Sequence, residues 1–458
     1  MLRLTWVQPE DLLGHELREA AQDGREPSAI AARWRAAGGL DAPARAGASP
    51  EPASRYMRLL AEDLLDELAE LPSRWAEAEP ADLAGIRALC PDWPADPRRD
   101  GQAAPAVPRP ERYEAAWLGR AAGCLLGKPV EKLPLEGIRL LARAAGDWPL
   151  SAWFTARGVP ADLAARYPWN RRSAATSLAE NIDGMPEDDD LDYPLLNLML
   201  LRRHGRAFRT ADVARLWLEE LPAGRAFTAE RVAYRNLLLG IEPPRTARHR
   251  NPFREWIGAL IRADVHGWTN PGDPAAAAEQ AYRDACLTHT ANGVYAAMFA
   301  AAALATAAAG GHDVHACLAA GLTVVPPGSR LAVAVRQAVR LANTHPDFDA
   351  VVDALHAAHA GCHWVHAVPN TALIAAALTH ADGDFGGAVC RAVSGGWDTD
   401  SNGATAGSLA GLLAGAPGAL PERWTAPLKN RLASTVGDFD GVGFDALAHL
   451  THLEASRP

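Results

Sequence analysis

Two acidic clusters, far apart in the chain, contain the residue types best suited to chemistry. They are Glu187-Asp188-Asp189-Asp190 within GMPEDDD and Asp398-Thr399-Asp400-Ser401 within GGWDTDS. Carboxylates at a helix N-terminus are stabilised by the helix dipole, which by itself explains either cluster as a capping run. Together the clusters also look like two halves of a site built from oxygen ligands, the set that hard cations such as Mg²⁺ prefer.

The spacing within each cluster limits how many oxygens converge on one ion. Successive residues of a helix point about 100° apart, so at most two or three of the four acids starting at Glu187 can share an ion. In the second cluster, Asp398, Asp400 and the hydroxyl of Ser401 form a compact ligand set. Glycines precede both clusters and allow unusual backbone dihedrals there.

A glycine stripe and a nearby acid form a further candidate element. Gly119, Gly123 and Gly127 recur every four residues, so in a helix they share one face that a neighbouring backbone can approach. Tight helix packing is the expected reason for the stripe. Glu131 follows in GKPVE, either as a solvated loop acid or as a third carboxylate at the cation site.

Several other polar residues could have either a structural or a functional role. His289 and Asn370 each precede an apolar helical segment, where they either cap the helix or face a pocket. Histidines at 356, 359, 363 and 366 share one helical face if the helix continues past Gly361. That arrangement fits a transition-metal site or, more commonly, a polar helix face.

Almost every segment that would position these residues has helical apolar spacing, and alternating strand patterns are missing. The predicted class is therefore all-α. We expect a helical N-terminal extension over 1–90 and a proline-rich linker over 91–110. The main domain is expected over 111–440, followed by a C-terminal tail over 441–458.

Composition narrows the functional class. The 458 residues carry a formal net charge of -10, which argues against a nucleic-acid binder. The six cysteines form no CxxC pair, so a disulfide scaffold or zinc ribbon is not expected. No signal peptide and no run of about 18 apolar residues is visible, so we expect a cytoplasmic protein without a membrane span. Lysine is confined to Lys128, Lys132 and Lys429.

The motifs resemble a known family when they are taken in order. GRAAGCLLGKPVE, GMPEDDDLDY, the Thr288-His289 pair and GGWDTDSNGATAGSLAG are similar to motifs of ADP-ribosylglycohydrolases over roughly residues 111–440. The resemblance implies an all-α domain that holds two Mg²⁺ ions between its acidic motifs. It also implies cleavage of the glycosidic bond between ADP-ribose and a group such as an arginine or serine side chain.

The resemblance assigns roles to individual residues. The metal ligands it implies are Glu187, Asp188, Asp189, Asp398, Asp400 and Ser401, and its first motif closes on Glu131. A cation there is expected to bind the ribose hydroxyls and to lower the pKa of a water, with Asp189 or Glu131 as general base. The expected substrate contacts are His289, His366 and Asn370, with Trp397 as a stacking platform.

Some positions depart from the family pattern, and they leave rival functions open. Glu187 replaces a threonine, Asp190 adds an acid, Trp397 replaces a glycine of many members, and Ser401 replaces a threonine. These changes are typical of a distinct bacterial subgroup. The rivals are an N-glycosidase for a small nucleoside-like metabolite and a non-catalytic protein that binds ADP-ribose.

Overall fold

The computed structural model describes residues 3–42, 47–95 and 107–457. Regular secondary structure in these ranges consists of helices, with only isolated bridges such as Met185 to Leu432. The all-α prediction is therefore confirmed. Residues 96–106, most of the predicted linker, lie outside the described ranges.

The helices begin and end as follows. The N-terminal extension contains α1 (Pro9–Gln22), α2 (Ser28–Ala36), α3 (Arg55–Ala69) and α4 (Leu83–Leu89). The next helices are α5 (Pro110–Gly127), α6 (Leu135–Ala144), α7 (Ala161–Arg166), α8 (Ala174–Ser177), α9 (Asp189–His204), α10 (Thr210–Glu220) and α11 (Thr228–Leu238). They are followed by α12 (Asp264–Trp268), α13 (Pro274–Ala285), α14 (Ala291–Ala309), α15 (Val314–Thr323), α16 (Arg330–Thr344) and α17 (Phe348–Ala358).

The C-terminal part contains α18 (Ala367–Ala381), α19 (Phe385–Ser394), α20 (Thr399–Ala414), α21 (Glu422–Thr425) and α22 (Phe444–Ser456). Short 3₁₀ helices span Lys128–Val130, Ala223–Arg225, Arg245–Ala247, Ile257–Arg262, Pro417–Ala419, Ala426–Leu428 and Gly437–Phe439. The segment predicted as a C-terminal tail contains α22, which packs on α5 through a 3.0 Å hydrogen bond from Trp117 Nε1 to Thr451 Oγ1.

One predicted helix is different in the structure. The segment EWIGALIRADVHG was expected to form a continuous helix, but it forms the 3₁₀ helix Ile257–Arg262 and then the short α12. The Ile257 N–H donates to Val365 O at 2.9 Å, outside the segment. This bond ties the start of the segment to the chain near Val365, beside the isolated bridge between Trp256 and His366.

The glycine stripe positions the two halves of the candidate site. Gly119 and Gly123 of α5 face Gly407 and Gly403 of α20. A Cβ added at either α5 glycine would overlap a backbone carbonyl of α20, and the reverse holds for the α20 glycines. The predicted tight packing is confirmed. Because the residue numbers run in opposite directions, the end of α5 lies beside the start of α20.

Helix α14 lies in the centre of the domain. It is long and apolar enough to cross a membrane, contrary to the expectation that no such segment exists. However, 94% of its apolar window is buried inside the protein. A core helix of a large helical domain has the same composition, and α14 packs here as such a helix.

The N-terminal extension packs on the rest of the chain through buried charges. Arg254 contacts Glu16 of α1 at 2.7 Å, and Arg330 contacts Glu79 at 2.7 Å. We call the whole group the docking cluster; its members are Glu16, Glu19, Asp23, Glu79, Arg254, Glu255 and Arg330. Trp6 adds an apolar contact, with its ring centroid 5.4 Å from that of Phe253.

Candidate active site

The end of α5 and the start of α20 meet at one side of a cavity. Thr399 Oγ1 donates to Gly127 O at 2.8 Å and joins the two helix ends. The chain leaves α5 through a 3₁₀ turn and reaches Glu131. As a result, one carboxylate oxygen from each of Glu131, Asp398 and Asp400 lies within 4.8 Å of the other two. Three carboxylates this close can surround one cation.

Left-handed backbone and a buried amide hold the start of α20 in place. Gly396 has φ 79° and Trp397 has φ 57°, which turn the chain sharply before the helix. The Oδ1 atom of Asn370 accepts the Asp398 N–H at 3.1 Å and the Asn402 side-chain amide at 2.7 Å. Asn370 thus fixes the backbone from which the Asp398 carboxylate projects.

The first acidic cluster forms the start of α9 on the opposite side. Asp188 caps the helix and accepts the Asp190 N–H at 2.9 Å. Arg120 of α5 donates to Asp190 O at 2.7 Å and lies 3.3 Å from its carboxylate. Ser401 Oγ donates to the other Asp190 carboxylate oxygen at 3.2 Å. This bond connects the two acidic motifs across the site.

Basic side chains approach several of these acids. Lys128 Nζ donates to Asp188 Oδ2 and lies 3.3 Å from Glu187 O. Arg225 Nη1 contacts the Glu187 carboxylate at 3.0 Å. These contacts place positive charge beside the α9 acids.

Glu131 is also engaged by neighbours. Lys132 Nζ lies 2.7 Å from its Oε1, and Asn170 Nδ2 donates to its Oε2 at 2.6 Å. Asp189 differs, because it makes no hydrogen bond or ion pair within the described part of the chain. Its carboxylate faces the cavity.

The pKa values reflect how each acid is buried and paired. Burial, together with the neighbouring carboxylates, raises the pKa of Asp400 to about 7 and holds the pKa values of Asp398 and Asp189 well above their usual range. Burial also acts to raise the pKa of Asp188, but the Lys128 ammonium outweighs it and keeps that pKa low. The acids near Asp400 therefore repel one another.

The cavity has a volume of about 460 Å³ and a wall rich in rings and cations. Sequence reasoning missed most of that wall, which includes Trp6, Lys128, Lys132, Arg172, Tyr193, Arg225, Phe227, Glu230 and Trp364. The scarcity of lysine was a usable signal for Lys128 and Lys132, since two of the three lysines flank Glu131. The aromatic residues come from separate segments and had no local signal.

The structure places one group of predicted site residues in the cavity lining and the other group outside it. The cavity is lined by all of the acids and the hydroxyl predicted as ligands or base: Glu131, Glu187, Asp188, Asp189, Asp398, Asp400 and Ser401. The four residues predicted to contact substrate are not among its lining residues: His289, His366, Asn370 and Trp397.

Two of these four residues are buried histidines behind the cavity wall. His289 is 1% exposed, and its Nδ1 lies 2.6 Å from Thr288 Oγ1. His366 caps α18 by accepting the Val368 N–H at 3.2 Å. Burial lowers the pKa of His366 to about 3, so the ring is neutral. In each ring Nδ1 makes a local contact, while Nε2 is buried without a hydrogen-bond partner among the described residues.

The other two residues also have structural partners. Asn370 is completely buried behind the start of α20. The Trp397 ring stacks on His356 with centroids 4.0 Å apart and planes at 9°, so one of its faces is covered. The histidine stripe is broken because α17 ends at Ala358, and the four imidazoles do not share one helix.

The sequence and the fold were compared with known proteins. Residues 105–455 match the family model described as ADP-ribosylglycohydrolase. One solved structure, an "ADP-ribosylglycohydrolase-related protein complex", is 23% identical with a TM-score of 0.44, covering 76% of this chain and 98% of its own. No curated protein matches the sequence. Since the family match extends over most of its length, the chain belongs to the ADP-ribosylglycohydrolase family.

Proposed function

We propose that this protein is a Mg²⁺-dependent hydrolase that cleaves the glycosidic bond of an ADP-ribosyl or related ribosyl substrate. One observation carries the proposal: two acidic helix N-termini, from α9 and α20, converge with Glu131 on a single cavity. Carboxylates this crowded repel one another unless a cation lies between them. Family membership gives the general reaction class, glycosidic bond hydrolysis.

The residues present suit a hard divalent cation. Glu131, Asp398 and Asp400 offer only oxygen ligands, which Mg²⁺ prefers over nitrogen or sulfur. Asp189 lies beside them and has no other partner in the described residues. When bound, the cation supplies positive charge that polarises an oxygen of the substrate or of water.

We propose Asp189 as the general base. Both candidates predicted for this role, Asp189 and Glu131, line the cavity. Glu131 already holds Lys132 and Asn170, which makes its lone pairs less available. Asp189 is free to accept a proton from an attacking water. The carboxylates of Glu131, Asp398 and Asp400 would serve as ligands.

The cavity wall supports a substrate with a phosphate and a flat ring. Arg172 and Arg225 line its rim and match the charge of a diphosphate. Trp6, Phe227 and Trp364 supply ring surfaces on which an adenine can stack. Either a small ADP-ribosylated molecule or an ADP-ribosylated macromolecule presents these groups.

We also propose that the protein acts in the cytoplasm. All six cysteines are free thiols, and five of them are buried. Unpaired cysteines are typical of a reducing compartment. The proposal would be contradicted by fractionation that finds the native protein outside the cell.

Hydrolysis of ADP-ribosylarginine and of ADP-ribosylserine with Mg²⁺ tests the function. The wild-type protein should release free ADP-ribose from at least one of them, and Asp398→Ala should reduce turnover by at least about 10²-fold. Circular dichroism should show the same helix content in both proteins. Full activity of Asp398→Ala would exclude the assigned site, and faster turnover of free nucleosides would favour the N-glycosidase alternative.

A further inference from the structure

Three of the four acids in the first motif, on the α9 side of the cavity, already have cationic partners. Each of the three pairs joins an acid of the first motif to a basic side chain within ion-pair distance. The pairs are Glu187 with Arg225, Asp188 with Lys128, and Asp190 with Arg120. Three of the four acids of this motif are therefore paired, and Asp189 is the unpaired one within the described residues.

Lys128 lies among the acids of the α9 side. Its side chain is 8% exposed, and its Nζ contacts both Asp188 Oδ2 and the Glu187 backbone carbonyl. The ammonium therefore lies against two of the oxygens that a metal ion on this side would use. A divalent cation added there would also be repelled by the ammonium charge.

The α20 side has a different balance of charge. Three acids face the cavity there: Glu131, Asp398 and Asp400. Among the described residues, one cation forms an ion pair with them, namely Lys132, whose side chain is 44% exposed. The unmatched negative charge on this side suits one divalent ion.

A second group of potential ligands lies on the α9 side but does not form a second free site. Sγ of Cys124 and carboxylate oxygens of Asp188 and Asp190 lie within 4.8 Å of one another. Sulfur is a soft donor and a poor ligand for a hard cation such as Mg²⁺. Both carboxylates are held by the basic residues described above.

From this asymmetry we infer that the Lys128 ammonium replaces one of the two ions implied by the family resemblance. The protein then binds a single divalent cation, held by Glu131, Asp398 and Asp400. This inference rests on the proposed function for the identity of the site, but it concerns ion number and not the reaction.

Ion stoichiometry measured with Mn²⁺ as a probe tests the inference. Metal-stripped protein would be equilibrated with Mn²⁺, and bound metal would be counted by mass spectrometry and examined by electron paramagnetic resonance. We expect one ion per wild-type chain and an uncoupled spectrum. Lys128→Met should bind two ions and show spin coupling between them. Lys429→Met, which removes an exposed lysine paired with Asp183, should still bind one.

Two results would overturn the inference. The first is two coupled Mn²⁺ ions in the wild-type protein, a result that needs no variant and therefore stands even if a variant fails to fold. The second is a single ion in both Lys128→Met and Lys128→Gln when their circular dichroism matches the wild type. Hydrolysis of ADP-ribosyl conjugates is a separate readout: a wild-type protein that binds one ion but hydrolyses none supports the inference and contradicts the proposed function.

Discussion

The protein contains two buried acid clusters, and they differ in what neutralises them. In the docking cluster, arginines reach most of the acids; Arg330 alone contacts Glu79 at 2.7 Å and Glu255 at 2.8 Å. On the α20 side of the cavity, Asp398 and Asp400 have no ion-pair partner among the described residues. Both clusters are buried, and both lie between separate segments of the chain. Burial alone therefore does not distinguish them.

The difference shows how a structural acid is separated from a functional one. A buried carboxylate that is paired with arginine is already compensated and can hold two segments together. A group of carboxylates beside an open cavity lacks that compensation and remains available to a cation. The presence of a partner, and not the number of acids, indicates the role.

The largest stability change is expected from breaking the docking cluster at Arg330. Arg330→Leu leaves Glu79 and Glu255 buried without their main cation, which should cost about 3–5 kcal/mol. Urea unfolding followed by circular dichroism measures the free energy of unfolding. Arg340→Leu, an exposed change on the same helix, should stay within about 0.5 kcal/mol of the wild type. Equal stabilities of the two variants would show that the docking cluster does not hold the extension.

A neutral substitution in the cavity is expected to increase the free energy of unfolding, which is the opposite of the change expected at Arg330. Burial and neighbouring carboxylates raise the pKa of Asp400 to about 7 in the folded protein, so stability falls as the pH rises from the usual value toward 7. Asp400→Asn keeps the shape without the charge. In metal-free protein at pH 8 it should increase the free energy of unfolding by roughly 1–3 kcal/mol. Destabilisation of the metal-free protein would contradict the account of mutual repulsion.

Glu19 gives a sharper test, because it is the one acid of the docking cluster without an ion-pair partner in the described residues. Burial raises its pKa well above the usual range. The folded protein therefore retains a proton that the unfolded chain releases above about pH 4.5, and stability falls as the pH rises further. Glu19→Gln stays neutral, so its melting temperature should decline less between pH 5 and pH 8.

Glu16→Gln provides the matched control on the same helix. Glu16 contacts Arg254 at 2.7 Å, so its neutralisation removes a compensated charge and should lower the melting temperature. The stability difference between the two variants at pH 8 should be on the order of 2 kcal/mol. If both variants shift in the same direction, pairing does not determine the role of these acids.

The smallest effect is expected from a substitution of Trp6, the residue that the N-terminal extension contributes to the cavity. Trp6 lines the cavity and is 8% exposed. Trp6→Leu keeps apolar bulk but removes a ring that can stack on a base, which is worth about 1–3 kcal/mol per base in other systems. The KM for an ADP-ribosyl substrate should rise severalfold or more, while kcat stays near the wild-type value. An unchanged KM would limit the extension to a structural role.

Sequence reasoning predicted features that depend on local chemistry. Helical periodicity gave the all-α class. The glycine stripe predicted close packing, because residues without side chains let a neighbouring backbone approach. Acids at the starts of α9 and α20 were visible as turn-then-helix patterns.

Features that depend on which segments meet were not predictable in the same way. The positions of Trp6 and Phe227 at the cavity depend on contacts between distant segments. His289 and Trp397 were expected at the substrate, since polar or aromatic residues beside a motif favour that reading. The structure instead gives them partners in Thr288 and His356. A polar residue next to a motif can support the site from behind without reaching the cavity.

The central claim is that the unpaired acids and the cavity form one cation-dependent nucleotide site. Calorimetric titration of ADP-ribose into metal-stripped protein, with and without Mg²⁺, tests it most directly. The account predicts binding heat only when Mg²⁺ is present. Equal binding without Mg²⁺, or no binding in either condition, would contradict it.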